Sequence, residues 1–306
     1  MSDRPLVALT GGTGFVGQMV CEALTNEGIA VRALARTIPQ APSDIEWVGG
    51  SLSDETALAR LVEGADSVLH VAGLTNAPDP AAFEAANITG TQMLLEAAAA
   101  TGVPRFVFVS SLSAREPGLS AYGASKERAE RLVEASDLDW TIVRPPGVYG
   151  PRDKDYLDLF KAAKLGVVPM PPGGSSSIIH ARDLADLLVA MLPGGDMVSG
   201  RMFEPDDGQP GGWSHADMAR MIGEAVDSRP LVLHLPKPLL HFAARIDGLV
   251  RGDAAKLTPD RVGYMSHPDW VARTDWQVPP EVWAPRIATP EGLKETANWY
   301  RAQGWL

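Results

Sequence analysis

The sequence predicts an α/β fold, in which a doubly wound parallel sheet carries a smaller, mostly C-terminal lobe. The first half alternates short runs rich in valine and leucine with longer helical patterns. Such apolar runs are typical of parallel strands that are covered by helices on both faces. Right-handed crossovers between them produce the doubly wound arrangement. After Gly150 the alternation stops and proline and glycine become dense, as in VVPMPPGGSSS, which predicts the second lobe.

Six strands with helices between them are predicted before Gly150. The predicted strands are PLVALTG, IAVRALAR, IEWVGG, DSVLHVAG, VPRFVFVSS and DWTIVRPPG. The predicted helices are 15–27, DETALARLVEG, about 80–101 and 121–135. Gly28 and Gly102 follow two of these helices, at the position where a left-handed residue commonly ends a helix.

The later part of the chain adds one returning segment and a lobe of helices. HARDLADLLVAML predicts an amphipathic helix and RMFEP a strand, and both return to the first domain. The helices predicted in the lobe are 214–226, 237–249 and 259–264. The predicted division is a first domain of residues 1–150, joined by 176–203, and a lobe made of 151–175 and 204–306.

Composition and charge narrow the class of protein. The net charge of -11 argues against a nucleic-acid partner, because phosphate binding requires a basic surface. No run reaches the roughly 18–20 apolar residues that a membrane span needs. The single cysteine, Cys21, excludes an intrachain disulfide framework and favours a cytoplasmic location. The six histidines form no HxxxH pair, so no metal site is predicted.

The stretch TGGTGFVG, residues 10–17, directly follows the first strand and opens the first helix. Glycines in this context form a dinucleotide-binding fingerprint. Gly11 permits the tight turn, Gly14 lets the backbone approach a pyrophosphate, and Gly17 lets the helix pack on the sheet. The phosphates are expected at the positive helix end. The candidate cofactor contacts in this stretch are Gly11, Thr13, Gly14, Phe15 and Val16.

The end of the second strand bears on the choice between NADP and NAD. NAD sites usually carry an acidic residue there, which accepts from the ribose 2′-hydroxyl. In this chain Ala35 takes that place and Arg36 follows it. An acid would repel a 2′-phosphate, whereas an arginine can hold it with charge-assisted bonds. The sequence therefore favours NADP, with NAD as the alternative.

A second constellation, YGASK, places Tyr122 and Lys126 four residues apart, so that both lie on the same side of a helix. A tyrosine hydroxyl titrates near pH 10 in water, and a neighbouring ammonium moves it toward a working range. With SSLSA ahead of it, this pattern resembles the extended short-chain dehydrogenase/reductase family, the NAD(P)-dependent epimerase/dehydratase-like group. The resemblance extends over nearly the whole chain, through NITGTQMLLEAA, VRPPGVYGPRD and IHARDLADLL.

The resemblance implies a Rossmann-type fold, a small-molecule substrate and a homodimer through two helices of the cofactor domain. It implies that Tyr122 is the general acid or base and that Lys126 also holds the nicotinamide ribose. It implies that a serine polarises the substrate carbonyl. Ser111 aligns best with that serine, and Ser110 and Ser113 are the alternatives. The further cofactor contacts it implies are Ser51, Leu52, Ala72, Gly73, Val109, Pro145 and Val148.

Two departures from the family pattern bear on the substrate. Gly147 stands where sugar-nucleotide enzymes often have an asparagine, and only ten residues separate Ser111 from Tyr122. The leading interpretation is therefore an NADP(H)-dependent oxidoreductase acting on a carbonyl or secondary alcohol. The alternatives are a nucleotide-sugar epimerase or dehydratase with bound NAD, and a non-catalytic nucleotide-binding module. The sequence does not identify the substrate.

Overall fold

The computed structural model describes residues 4–40, 43–77, 79–252, 255 and 257–306. The chain divides into two compact units, each assembled from separate stretches. The first unit contains the residues up to Arg144 together with Leu184–Glu204 and Val278–Ala284. The second contains Pro145–Asp183, Pro205–Gln277 and Pro285–Leu306.

Strands and helices alternate through the first unit, whereas the regular structure of the second unit is mostly helical and its strands are short. The strands are β1 (Leu6–Thr10), β2 (Ala30–Ala35), β3 (Glu46–Gly49), β4 (Ser67–His70), β5 (Arg105–Val109), β6 (Asp139–Val143), β7 (Gly147–Tyr149), β8 (Val167–Met170), β9 (Ser175–Ser176), β10 (Ile178–His180), β11 (Arg201–Phe203), β12 (Trp213–Ser214), β13 (Leu231–His234) and β14 (Asp269–Trp270). The α-helices are α1 (Phe15–Asn26), α2 (Glu55–Val62), α3 (Pro80–Phe83), α4 (Gly90–Thr101), α5 (Ala121–Glu134), α6 (Leu157–Lys164), α7 (Ala181–Ala190), α8 (His215–Ala225), α9 (Lys237–Arg251), α10 (Pro259–Met265) and α11 (Thr289–Ala302).

The first unit is built on a seven-stranded sheet in the order β11-β6-β5-β4-β1-β2-β3. All neighbouring strands are parallel. The six predicted strands and their doubly wound order are confirmed, and RMFEP supplies the seventh strand at the edge. The order reverses at β1, between β2 and β4, and ligands of such sheets bind at the carboxyl ends next to this point.

Burial explains the apolar sequences of the central strands. Every residue of β4 and of β5 is buried, as expected where helices cover both faces of a parallel sheet. One face packs against α2, α4 and α5 through a cluster that includes Leu58, Leu94, Phe106 and Val133. Val133 lies on the same helix, α5, as Tyr122 and Lys126, so this core fixes the position of that helix.

Local caps define the helices that matter for the site. The Ser120 side chain accepts from the Gly123 amide at 2.9 Å and so starts α5. The helix predicted at about 80–101 is interrupted: α3 and α4 are separated by a π-helical turn over Glu84–Thr89. The Thr91 hydroxyl donates to the Asn87 carbonyl, the acceptor that an α-helical Thr91 amide would use. The side-chain hydrogen bond therefore competes with the α-helical backbone bond at the position where the π turn occurs.

The second unit has its own core and three small sheets, β10-β7, β12-β9-β14 and β13-β8. Helices α6, α8 and α11 meet around buried Phe160, Met218, Leu293 and Tyr300. Helices α6 and α11 were not among the predicted elements. Among the described residues no helix has the length and apolar character needed to cross a membrane.

Candidate active site

The turn after β1 can be made only by glycine at two positions. Gly11 has a φ of 79°, and a Cβ on it would lie 2.7 Å from the Ala72 amide nitrogen. A Cβ on Gly17 would lie 1.9 Å from the Gly11 carbonyl oxygen. The loop therefore closes on α1 and on the segment after β4 without any space for a side chain.

The start of α1 offers backbone donors rather than side chains. Its N-cap residue is Gly14, which is exposed and contributes no side-chain hydrogen bond to the first turn. The first turn of α1 contains no acidic residue. Thr13 is also exposed, and Phe15 and Val16 are partly buried. The first amides of a helix carry a partial positive charge and bind phosphate in this geometry. The turn thus fits the pyrophosphate of a dinucleotide.

Arg32, in the middle of β2, and Arg36, directly after it, differ in their surroundings. Arg32 binds the Glu46 carboxylate at 2.8 Å and the Glu63 carbonyl at 2.6 Å, so its guanidinium joins β2 to β3 and to the end of α2. Arg36 is exposed, directly after buried Ala35. Within the described residues no carboxylate forms an ion pair with Arg36. Arg36 is thus accessible to a ligand at the end of this strand.

The other predicted cofactor contacts in the first unit follow strands β3, β4 and β5. Ser51 is partly buried, and its hydroxyl lies 2.9 Å from that of Ser53. Leu52 packs on Gly90, where a Cβ would come within 2.9 Å of it. Gly73 is exposed, and a Cβ on it would meet Asn87 Oδ1 at 3.2 Å and Lys126 Nζ at 3.6 Å. The loop after β4 therefore runs directly over the lysine of α5.

Tyr122 and Lys126 lie one turn apart near the start of α5, and both are buried. The Tyr122 ring lies 6.0 Å from that of Phe83 on α3. The Lys126 ammonium donates to the Val109 carbonyl oxygen at 2.8 Å and sits 4.3 Å from the centre of the Phe108 ring. Burial lowers the pKa of Lys126 from 10.5 to about 8, against the opposing attraction of Glu130.

The three candidate serines after β5 have different partners. Ser110 is buried, and its hydroxyl donates to the Glu130 carboxylate. Ser111 is partly buried, and its hydroxyl oxygen accepts from the Ser113 hydroxyl at 2.9 Å and from the Ser113 amide at 3.2 Å. The Ser111 oxygen accepts both bonds, so its own proton can be donated to another acceptor.

Close packing brings the serine segment against the start of α5. A Cβ on Gly123, the residue after Tyr122, would lie 2.6 Å from the Ser113 carbonyl oxygen. The backbones of the two segments are thus in contact without an intervening side chain. This contact joins the predicted serine and tyrosine regions within the first unit.

A buried ion network beneath the serines was missed by the sequence reading. The Arg144 guanidinium donates two hydrogen bonds to Glu130, at 2.8 and 2.7 Å, and reaches Glu204 at 3.5 Å. Arg115 lies 3.4 Å from Glu204 on the other side. Glu130 lies on α5 and Arg115 in the segment between β5 and α5, whereas Arg144 and Glu204 directly follow β6 and β11. The network therefore ties together the carboxyl ends of these strands.

A second missed network runs through His70 at the end of β4. The His70 ring lies 2.6 Å from the Thr10 hydroxyl through Nδ1 and 2.9 Å from the Thr91 hydroxyl through Nε2. Since the Thr91 hydroxyl proton goes to the Asn87 carbonyl, Nε2 carries the ring proton and Nδ1 accepts from Thr10. The Thr10 oxygen in turn accepts from the Ala72 amide at 3.2 Å. The pKa of His70 is lowered to about 3, mainly by burial and secondly by the positive charge of Lys126. The ring is therefore neutral.

Asn87 fastens the loop after β4. Its side-chain oxygen accepts from the Leu74 amide at 2.8 Å, and its amide nitrogen donates to the Leu74 carbonyl and to the Ser125 hydroxyl. Every polar atom of this buried side chain is occupied by the protein. Asn87 therefore acts as a structural link between the loop and α5.

Two predicted cofactor contacts, Pro145 and Val148, belong to the second unit, where Pro145 is buried and Val148 is partly buried. Gly147 between them lies against a tyrosine: a Cβ there would come within 2.4 Å of the Tyr156 hydroxyl oxygen. An asparagine at 147 would require the Tyr156 ring to move. Within the described residues no group of three or more histidine, cysteine or acidic side chains could hold a metal ion.

Comparison with known proteins identifies a family and full-length or partial relatives of the chain. Residues 11–193 match a family model described as NAD(P)H-binding. The chain is 37% identical to the ceramide reductase of Caulobacter vibrioides over 316 aligned residues, which cover 99% of this chain and 96% of the relative. It is 26% identical to the UDP-glucose 4-epimerase of Vibrio cholerae, over 75% of this chain and 78% of the relative.

The fold is also that of solved sugar-nucleotide enzymes. The structure of UDP-glucose 4-epimerase from Thermotoga maritima superposes with a TM-score of 0.73 at 20% identity, over 98% of this chain and 99% of that one. This likeness concerns the fold alone. The family model and the nearly full-length relative together show that the chain belongs to the NAD(P)H-binding family.

Proposed function

We propose that this chain is an NADP(H)-dependent oxidoreductase that transfers a hydride between the nicotinamide and a carbonyl or secondary alcohol, through Ser111, Tyr122 and Lys126. The observation that carries the proposal is the position of Lys126. Its ammonium is buried one turn from Tyr122 and is held on the Val109 carbonyl, two residues before Ser111. A buried ammonium beside a buried phenol is an arrangement that acid–base chemistry uses.

The residues that would hold NADP follow from the glycine turn and the strand ends. The amides of the first turn of α1 would take the pyrophosphate, and Arg36 the 2′-phosphate. Ser51 and Leu52 would border the adenine, and Ala72 and Gly73 would pass beneath the ribose and pyrophosphate. Lys126 would hold the nicotinamide ribose, with Val109, Pro145 and Val148 beside the nicotinamide.

The protein's own part in the reaction is to orient and protonate the carbonyl. The bound nicotinamide supplies the hydride that the carbonyl carbon accepts. The Ser111 hydroxyl donates a hydrogen bond to the carbonyl oxygen, since its lone pairs already accept from Ser113. Tyr122 gives its proton to the same oxygen as the alcohol forms. The positive charge of Lys126 stabilises the phenolate that Tyr122 then carries.

For the substrate class we favour a ketone on a ceramide-type lipid, reduced to the secondary alcohol. The support is the identity with ceramide reductase, which extends over 99% of this chain. The shorter match to UDP-glucose 4-epimerase gives less support to a sugar nucleotide. The close approach of Tyr156 to position 147 also leaves little space for the asparagine that such enzymes often place there.

The test is the oxidation of NADPH by the purified protein, followed at 340 nm, with a keto-ceramide in mixed micelles and with simpler ketones. Tyr122→Phe should lower kcat by roughly 100-fold or more while NADPH still binds. Tyr264→Phe, a tyrosine of α10, is the matched control and should keep the wild-type rate.

Three results would replace the proposal. If Tyr122→Phe is as active as the wild type, the catalytic assignment is wrong. If the protein purifies with retained NAD and interconverts UDP-sugars without consuming NADPH, it is an epimerase. A protein that binds NADPH and turns over none of these compounds would be a binding module.

A further inference from the structure

Helix α9 presents an apolar stripe to solvent. Leu239, Phe242, Ile246, Leu249 and Val250 are exposed by 47, 59, 46, 88 and 77%. With about 100° of rotation per helical residue, these five positions fall within an arc of about 100°. They therefore form one continuous face, which we call the α9 stripe.

The opposite face of α9 already has its partner. Leu240 and Ala244 are buried and pack with Val262 of α10. This face lies about 150° from the centre of the α9 stripe, by the same rotation. The helix is thus anchored to the second unit by its smaller apolar face and directs its larger one outward. Contiguous exposed apolar surface of this kind marks an interaction site.

The charges on α9 differ in sign from those of the chain as a whole. The helix has three basic residues, Lys237, Arg245 and Arg251, and one acidic residue, Asp247, whereas the chain carries a net charge of -11. All three basic residues are exposed. The Asp247 carboxylate accepts from the Leu257 amide at 2.9 Å and pairs with Arg251 at 3.2 Å, so its charge is turned toward the protein.

We propose that the α9 stripe docks this chain on the surface of an anionic phospholipid bilayer. A basic amphipathic helix with Leu, Phe and Ile on one face is the type of element that lies in the interface of a membrane. Anionic headgroups complement Arg245, which lies about 40° from the edge of the α9 stripe by the same rotation, whereas a second copy would present the same positive charge beside its own stripe. The choice of a bilayer over a protein also rests on the proposed function, since a keto-ceramide resides in membranes.

The experiment is flotation of the full-length protein with vesicles of equal parts phosphatidylglycerol and phosphatidylcholine, against vesicles of phosphatidylcholine alone. The wild type should float with the anionic vesicles, and binding should fall at 0.5 M NaCl. Leu249→Asp removes the most exposed stripe residue and adds a negative charge, so it should reduce the partition coefficient by about tenfold or more. Arg245→Glu should reduce it by about tenfold through charge alone.

The matched control is Met197→Asp, which adds the same charge at an exposed apolar side chain of the first unit. It should float like the wild type. The proposal is overturned if the wild type does not bind anionic vesicles, or if Leu249→Asp and Met197→Asp behave alike. A concentration-dependent dimer that Leu249→Asp dissociates, without vesicle binding, would assign the stripe to a second copy instead.

The result is separable from the enzymatic proposal. Leu249→Asp should still oxidise NADPH with a small water-soluble ketone at the wild-type rate. Protein that floats but reduces no ketone would refute the proposed function and leave the docking surface standing. Protein that reduces ketones and binds no vesicle would refute the docking surface and leave the proposed function standing.

Discussion

The ammonium of Lys126 donates a hydrogen bond to the carbonyl oxygen of Val109 at 2.8 Å, which ties α5 to the carboxyl end of the central strand β5. The bond fixes the amine on the strand end from which the serine segment departs. Because the amine is buried, its pKa falls to about 8. A cation that titrates this close to neutrality gives the site a measurable pH signature.

We expect activity to decline as the pH rises through about 8. The pKa of Lys126 is lowered, so the ammonium is present below that value and is lost above it. The pH profile of kcat/KM for ketone reduction should therefore have an alkaline limb. Lys126→Met should lower kcat by roughly 100-fold or more, while Lys161→Met, at an exposed lysine of α6, should have no effect. A profile that stays flat to pH 10 would contradict a role for this charge.

Arg36→Ala should weaken NADPH binding by about tenfold to 100-fold and leave NADH binding unchanged. The reason is that only NADPH carries the 2′-phosphate, with which a guanidinium forms charge-assisted bonds. Fluorescence titration of the two nucleotides measures both affinities. Arg60→Ala, at an exposed arginine of α2, serves as the control. Tighter binding of NADH than NADPH by the wild type would refute the preference for NADP.

The features that could be predicted from the sequence are local ones. The glycine turn and the Tyr122–Lys126 pair each occupy fewer than ten consecutive residues, and the strands show as apolar runs. The networks beneath them are not local: Arg115 and Glu204 are 89 residues apart, and Thr10 and His70 are 60 apart. No periodicity of the sequence predicts such pairs, because they form only where the strand ends converge.

The second unit was harder to predict for a different reason. It is assembled from three separate stretches, and its strands are two to four residues long. Helix α11 begins at Thr289, at the end of a segment dense in proline (279–290) whose sequence favours a loop. Its buried residues, such as Leu293 and Tyr300, find their partners on α6 and α8, far away in the chain. Tertiary packing therefore determines these elements.

The glycines of the turn should separate into two classes on substitution by alanine. A Cβ on Gly17 would lie 1.9 Å from the Gly11 carbonyl, so Gly17→Ala should destabilise the fold by several kcal/mol, about 2–4. On Gly14 the nearest atom is 3.3 Å away, so Gly14→Ala should keep stability within about 1 kcal/mol. Its methyl group would still stand before the first amides of α1 and should weaken NADPH binding by about tenfold or more.

Urea unfolding and nucleotide titration distinguish the two classes. Gly248→Ala is the control, since a Cβ there meets nothing within 4 Å and alanine is the better helix former. It should be as stable as the wild type or slightly more stable, with unchanged binding. If Gly14→Ala bound NADPH as tightly as the wild type, the phosphates would not lie at this turn.

The neutral His70 should make the first unit sensitive to acid. Its folded-state pKa of about 3 is depressed from 6.5 by burial and by the Lys126 charge, so between these values the unfolded chain binds a proton that the folded chain does not. Stability therefore falls as the pH falls through this window, by up to about 1.4 kcal/mol per pH unit from this one group. His70→Gln removes the titration: it should be less stable than the wild type at pH 7, because the bonds to Thr10 and Thr91 are lost or weakened.

The decisive quantity is the difference in unfolding free energy between the wild type and His70→Gln, measured in urea from pH 7 to pH 4.5. The difference should shrink with falling pH, since only the wild type has a histidine here that takes up a proton on unfolding. His180 and Asp153, whose pKa values are also shifted by burial, contribute equally to both proteins and cancel. A constant difference for His70→Gln would mean that His70 has the same pKa in the folded and the unfolded protein, and it would contradict a neutral, buried ring in the folded state.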